Sequence, residues 1–171
     1  GNYTYFKSYY QADQYTTLFN VLQLTLEKRI MLGKKWNIKT WLILQKPTGA
    51  PPVNIPTFVT RDMIGYDGNL GFKNLLISFG LEFRYYSSYY ADGYSTLIGQ
   101  CFNQNESKVK LKLPETPAYL NFRIKSFTSY IRAENLNAYR NGGFTGNNIV
   151  SPNYAYPGLW IRVGVYWSFV N

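Results

Sequence analysis

This 171-residue chain is rich in aromatic residues and poor in charged ones. Aromatic side chains make up 19% of the residues and charged ones only 16%, whereas a soluble domain carries about 25% charged residues. No run approaches the roughly 18 consecutive apolar residues of a membrane-spanning helix. The composition therefore excludes a bundle of transmembrane helices and favours strands that alternate between lipid and a wet interior.

Charge and residue usage narrow the function further. The net charge of +9 points first to nucleic acid, but the basic residues are scattered and form no dense run. Cations that line a pore or face anionic lipid explain this charge, so we expect no nucleic-acid partner. The chain has no histidine, and its single cysteine, Cys101, is expected to be a buried and inert thiol. We therefore expect no enzyme, no metal site and no cofactor.

Alternation of apolar and polar residues predicts about nine strands along the chain. The segment 75–89 alternates for fifteen residues, far longer than the strands of about five or six residues in globular sheets. The segment 159–171 is long enough to cross a bilayer as a tilted strand. In chain order, the predicted strands cover residues 3–9, 18–27, 36–45, 57–66, 75–89, 94–103, 120–125, 130–134 and 159–171.

The connections predict an up-and-down antiparallel barrel. Tight turns are expected at 32–34, 67–68, 91–93 and 125–126, and longer loops at 46–56, 104–117 and 137–157. With the C-terminus in the periplasm, the count places 104–117 and 137–157 outside the cell. It also places the Pro-rich loop 46–56 in the periplasm, where such a length is unexpected. Barrels of this class have an even number of strands, so an odd count indicates either that the count is wrong by one or that N-terminal strands are missing.

The fold class predicted for residues 1–171 is all-β, a single antiparallel transmembrane β-barrel domain or the C-terminal strands of a larger one. One phase of the alternation turns charged side chains towards the lumen, where they would tune ion selectivity or pair to fill a blocked interior. These lumen-facing candidates are Glu82, Arg84, Arg123, Arg132, Glu134 and Arg162. The opposite phase of the last strand turns Leu159, Ile161, Val163 and Val165 towards lipid.

Three lysines form a separate basic candidate. Lys108, Lys110 and Lys112 alternate with apolar residues, so an extended backbone would place all three on one face. Such a face suits the phosphates of lipopolysaccharide, and a solvated loop face is the alternative interpretation.

Three blocks of the sequence carry a family resemblance. They are Pro152–Phe169, with its Tyr-Pro-Gly sequence followed by Arg162 and Gly164, and the blocks 83–102 and 120–135. In this order they resemble the C-terminal portion of the putative porin family of Bacteroidota outer membranes. The resemblance implies an integral outer-membrane barrel that gives small solutes passive passage. It also implies contacts with membrane lipid and lipopolysaccharide, and with other outer-membrane subunits as candidate partners.

The last strand resembles the C-terminal signal by which the barrel assembly machinery recognises its clients. The residues that carry this likeness are Gly164, Trp167 and Phe169. A less similar family is the barrel of TonB-dependent transporters, which ends in a comparable pattern. A non-conducting scaffold of an outer-membrane complex and, outside membranes, a soluble β-sandwich binding module are the remaining alternatives.

Overall fold

A computed structural model describes residues 2–138, 151–154 and 157–169. Within these ranges the chain forms thirteen strands, and all of their pairings are antiparallel. No helix in the described ranges is long and apolar enough to cross a membrane. The strands are β1 (Tyr3–Phe6), β2 (Ala12–Tyr15), β3 (Val21–Leu32), β4 (Trp36–Pro47), β5 (Phe58–Gly68), β6 (Leu75–Tyr86), β7 (Tyr89–Tyr90), β8 (Gly93–Ser95), β9 (Gln100–Phe102), β10 (Lys108–Val109), β11 (Ala118–Ile124), β12 (Phe127–Glu134) and β13 (Trp160–Trp167).

Seven of these strands form one main sheet, in the order β3-β4-β5-β6-β11-β12-β13. The order follows the chain, apart from an excursion between β6 and β11 that contains four short strands. The predicted all-β, antiparallel architecture is confirmed. In the described residues β3 and β13 are edges, so the sheet is open, as part of a barrel would be.

The two ends of the main sheet differ in the length of their connections. At one end, here called the turn end, the strands are joined by the short segments 33–35, 69–74 and 125–126. Gly33 and Lys125 adopt positive φ angles of 67° and 50°, which allow the chain to reverse within a few residues. At the other end, the loop end, lie the segments 2–20, 48–57 and 87–117 and the described residues 135–138, 151–154 and 157–159. Most of the predicted loop 137–157 lies outside the described residues, as do residues 170–171.

Two predicted strands do not belong to the main sheet. The segment predicted at 94–103 is instead a small hairpin of β8 and β9, because a turn at 96–99 with Gly99 at φ 65° reverses the chain. The segment predicted at 3–9 forms a strand that ends at Phe6 and that, within the described ranges, pairs with β2 alone. Alternation in sequence indicated the extended backbone here but not its partners.

Because the segment 94–103 does not span the main sheet, the chain crosses the sheet one time fewer than predicted. Every connection that precedes this segment in sequence therefore lies at the opposite end of the sheet from the predicted one. The prediction that 46–56 and 91–93 lie at the end of the short turns is wrong. The structure places both at the loop end, because β5 and β6 pair so that Val59 faces Tyr86, beside these two connections. The unexpected length of the 46–56 loop is thereby explained, since all long connections now lie at one end.

The segments at the loop end pack against one another into a loop layer. Most of the buried apolar side chains in the described residues lie in it, including Val109 and Leu111, which are 1% and 2% exposed. Burial raises the pKa of the Asp92 carboxyl above its usual range, while a hydrogen bond from Asn54 opposes part of this rise. Cys101 is exposed here, so the prediction of a buried thiol is wrong. Hydrogen bonds that join the segments include Asn103 N to Phe6 O (2.7 Å), Ser95 Oγ to Tyr9 O (2.7 Å), Asn54 Nδ2 to Asp92 Oδ1 (3.0 Å) and Ser151 Oγ to Asp92 O (3.2 Å).

The arrangement of the connections predicts which sites are accessible from the same side of a membrane. In a Cys101→Ser background we expect Ala50→Cys to react with a membrane-impermeant maleimide on intact cells. Lys34→Cys and Ser126→Cys should react only after the cells are broken, because both lie at the turn end. Whichever end of the sheet faces outwards, the labelling of a cysteine at Ala50 must be opposite to that of cysteines at Lys34 and Ser126, because they lie at different ends. Equal labelling of Ala50 and Ser126 would contradict the strand order.

Candidate functional site

The register of the main sheet divides its side chains into two faces. Residues directly opposite each other on paired strands point to the same side, so one strand fixes the phase of all the others. The apolar face carries even-numbered residues of β3, β4, β5 and β11 and odd-numbered residues of β6, β12 and β13. The remaining residues form the polar face. Its charged residues are Glu27, Arg29, Lys39, Arg61, Asp67, Glu82, Arg84, Arg123, Arg132, Glu134 and Arg162.

A buried carboxylate, Glu82, is the centre of a charged network on the polar face. Glu82 is only 3% exposed. Glu82 Oε1 accepts hydrogen bonds from Arg61 Nε and from Arg84 Nε, the latter at 2.8 Å. Glu82 Oε2 lies 3.6 Å from Arg132 Nη2. One carboxylate therefore joins three arginines from three strands.

The network continues to the edge of the sheet through a second carboxylate. Arg132 Nε donates to Glu134 Oε1 at 3.0 Å, and Arg162 Nη2 lies 2.9 Å from Glu134 Oε2. The six side chains come from β5, β6, β12 and β13. Charged groups of alternating sign thus form a continuous row near the loop end.

Local structure explains how the row crosses β11, which contributes no charge to it. The backbone N–H of Glu82 donates to the carbonyl of Pro117 at 2.9 Å, just before β11 begins. The Arg132 side chain, from the strand beyond β11, spans this point to approach Glu82. At the other end of the row, the Arg61 guanidinium lies 5.5 Å from the centroid of the Trp41 ring, a cation–π contact that orients it.

The network has an excess of positive charge and retains hydrogen-bond donors. Four arginines face two glutamates, and each guanidinium has five N–H donors, more than the observed contacts use. The side chains of Arg61 and Arg162 are 52% and 57% exposed, so their free edges are accessible. Such an arrangement can attract and transiently bind anions. In the described ranges no group of three or more His, Cys, Asp or Glu side chains could hold a metal ion.

The structure brings five of the six predicted lumen-facing candidates together in this network. The sixth, Arg123, shares the polar face but lies near the turn end, where its Nε donates to the carbonyl of Lys125 at 3.2 Å. Arg61, a further member of the network, was not among the predicted candidates. The alternating pattern of its segment could have indicated Arg61, but only the pairing of Arg61 with Arg84 reveals its place.

The three predicted surface lysines lie in the loop layer. Lys108, Lys110 and Lys112 are exposed, while Val109 and Leu111 between them are buried. The Lys108 ammonium lies 4.9 Å from the centroid of the Tyr90 ring. The lysines therefore share an exposed side of this segment and are separate from the network.

The apolar face has no covering protein layer among the described residues. Ile161, Val163 and Val165, predicted to face lipid, lie on it with more than 60% of their surface exposed, whereas Leu159 precedes β13 and is half-buried. Near the turn end, aromatic side chains form a belt of the kind that marks a membrane interface. Its ring contacts are Trp36 with Tyr66 (5.3 Å), Tyr66 with Phe79 (5.1 Å), Phe122 with Phe127 (6.0 Å) and Phe127 with Trp167 (6.2 Å).

Three charged residues interrupt the apolar face. Lys28 and Asp62 lie on it within β3 and β5, and Lys46 lies on it near the loop end of β4. A lysine that faces lipid at the bilayer midplane costs about 2–4 kcal/mol of folding free energy, and an aspartate somewhat less.

The predicted assembly-signal residues lie on or just beyond the edge strand β13. Trp167 stacks on Phe169 with ring centroids 5.0 Å apart. Gly164 pairs with Tyr130, and a Cβ at Gly164 would collide with the Tyr130 ring. Close packing of this ring therefore gives Gly164 a structural role, and recognition by the assembly machinery stays a prediction.

We expect Glu82→Gln to lower the folding free energy by about 1–3 kcal/mol, because it leaves three arginines without their shared counter-charge. The matched change Glu134→Gln should cost less, under about 1 kcal/mol, because the Glu134 side chain is 25% exposed and the Glu82 side chain only 4%. Urea titration of folding in liposomes measures both values. A larger effect at Glu134 would contradict the central position of Glu82.

No curated protein and no solved structure matches the chain. A family model described as "Putative porin" matches residues 1–171, which is the whole chain and extends beyond the three blocks that carried the resemblance. On this match, the chain belongs to the putative porin family.

Proposed function

We propose that this chain forms part of the wall of an outer-membrane β-barrel that gives small solutes passive passage, with a preference for anions. The observation that carries the proposal is the arginine-rich network around Glu82, on a polar face whose opposite side is apolar and uncovered. No catalytic step or cofactor is part of the proposal.

The apolar face supports the membrane location. A soluble sandwich would cover such a face with a second layer, and its own surface would be the polar one. Here the uncovered side chains are mostly large and apolar, with an aromatic belt at one end. Lipid is the solvent that suits them. Known barrels have long extracellular loops and short periplasmic turns, so the loop end faces outwards in this proposal.

The open edges support membership of a larger barrel. In lipid every backbone polar group needs a partner, so the free edges of β3 and β13 cannot remain unpaired within the membrane. We propose that further strands close the sheet. During biogenesis, the edge of β13 with Trp167 and Phe169 would be the site recognised by the assembly machinery. In the loop layer, Lys108, Lys110 and Lys112 would contact lipopolysaccharide phosphates.

The balance of charge supports the preference for anions. Seven of the eleven charged residues on the polar face are cationic, and the network is cationic as well. Charged rings in a lumen set ion selectivity because they change the local concentration of the permeating ion. A paired network also keeps its arginines in fixed positions, so the free guanidinium edges line the passage.

A non-conducting scaffold is the second candidate. The observation in its favour is the loop layer, whose segments are joined by hydrogen bonds and enclose Val109 and Leu111 at one end of the sheet. A layer that packs in this way could cover the mouth of a barrel, and paired charges could fill its interior.

Conductance in planar bilayers tests the proposal. We expect the full-length protein to open steady channels with a higher permeability for chloride than for potassium. The double variant Arg61→Gln/Arg162→Gln should lower this permeability ratio by about twofold or more, because it removes the two most exposed arginines of the network.

The control variant for this experiment is Lys73→Gln. It removes one exposed charge from the turn between β5 and β6, outside the network, and should leave the ratio unchanged. Absence of conductance from a correctly inserted protein would favour the scaffold. An equal shift in Lys73→Gln would show that the network does not set selectivity.

A further inference from the structure

A polar row crosses the apolar face where lipid would be its solvent. Lys28 in β3 pairs with Thr40 in β4, and Thr40 pairs with Asp62 in β5. The three residues are direct neighbours across three strands, with Thr40 in the middle. The neighbouring rows are mostly apolar, with Ile30, Ile38 and Ile64 on one side and Leu26, Leu42 and Thr60 on the other.

The row is too far from either end of the strands for its charges to reach water. Lys28 is four residues from Leu32 and seven from Val21, the two ends of β3. At a rise of about 3.3 Å per residue and a strand tilt of about 40°, these separations correspond to depths of roughly 10 and 18 Å, both longer than a lysine side chain. Lipid contact would therefore leave opposite charges near the middle of the hydrocarbon layer.

In the structure, Lys28 and Asp62 do not neutralise each other within one copy of the chain. Lys28 and Asp62 are separated by two strand spacings, about 9–10 Å. In the described residues no ion pair joins them, and the Asp62 carboxylate instead accepts a hydrogen bond from Thr60 Oγ1 at 2.8 Å. The lysine is exposed, and among the described residues its ammonium takes part in no ion pair.

We propose that this polar row is the contact between two copies of the chain, related by a twofold axis that runs along the membrane normal beside Thr40. When two identical faces meet around such an axis, the left side of one lies opposite the right side of the other. Lys28 of each copy then lies opposite Asp62 of its counterpart, and the two Thr40 residues meet near the axis. The order of cation, hydroxyl and anion across three strands is therefore complementary to itself.

The surrounding side chains suit the same contact. Leu24, Leu26, Ile30 and Leu44 are large, apolar and exposed around the row, so a second copy would pack against them while the charges pair in its centre. A central, desolvated charge pair also fixes the register of an otherwise uniform apolar contact. The inference rests on the proposed barrel, because it takes the apolar face as the outer surface.

Cross-linking of cysteines near the axis is the first test. In a Cys101→Ser background, Thr40→Cys in the full-length protein should form a disulfide-linked dimer upon mild oxidation in native outer-membrane vesicles. Val163→Cys is the matched control, because it lies on the same face, is 64% exposed and is far from the row. We expect at least tenfold more dimer from Thr40→Cys. Equal yields, or no dimer from Thr40→Cys, would overturn the proposal.

Charge reversal separates pairing between copies from pairing within one. Added to the Thr40→Cys chain, Lys28→Glu gives a row with two negative charges and Asp62→Lys gives one with two positive charges. Each variant alone should lose at least tenfold of its dimer, because like charges meet twice. Co-expressed with different tags, the two variants should form a mixed dimer at the original level. A pair within one chain predicts no such rescue, so absence of the mixed dimer would contradict the proposal.

The same samples distinguish failure of this inference from failure of the proposed function. Resistance to carbonate extraction and to proteolysis shows whether each variant is inserted. A protein that is inserted but gives no Thr40 dimer overturns the contact alone. A protein that leaves the vesicles with carbonate overturns the barrel and the contact together. Where a reversed variant does not insert, the comparison of Thr40→Cys with Val163→Cys decides.

Discussion

The register of the main sheet is the constraint on which the remaining structure depends. Because paired residues share a face, the pairing of Glu82 with Met63 and of Arg132 with Arg162 brings charges from distant segments to the same side. A shift of one residue in any strand would move its charges into the apolar face and its leucines into the polar one. The register therefore builds both the charged network and the uncovered apolar surface.

The stabilising contacts have an unusual distribution for a small protein, because apolar burial is concentrated in the loop layer and charge pairing in the network on the polar face. The main sheet has no buried apolar core of its own in the described residues, apart from Tyr66, and most such burial lies in the loop layer. On the polar face the most deeply buried charged group is the Glu82 carboxylate, whose charge is balanced by three arginines. In a bilayer, lipid would complete the apolar face and the network would hold the polar one in a fixed arrangement.

The sequence was sufficient to predict the long strands, because their alternation is local. Segments such as 75–86 alternate throughout, and the faces of β6 and β13 were predicted in the phase that the structure shows. It was not sufficient for the segment 94–103, where residues of strand-like composition turn at Gly99. That single error reversed the side assigned to the loop at 46–56. Arg61 was missed for a related reason, since its neighbours in the network come from strands distant in sequence.

The central claim is that the two faces of the main sheet lie in two different solvents. Nitroxide scanning of residues 76–83 in β6, one spin label at a time in lipid vesicles, measures the solvent at each position directly. Labels at odd positions, on the apolar face, are expected to collide mainly with oxygen dissolved in lipid. Labels at even positions, on the polar face, are expected to collide mainly with a water-soluble nickel chelate. Collision rates without a period of two, or with the opposite phase, would contradict this claim.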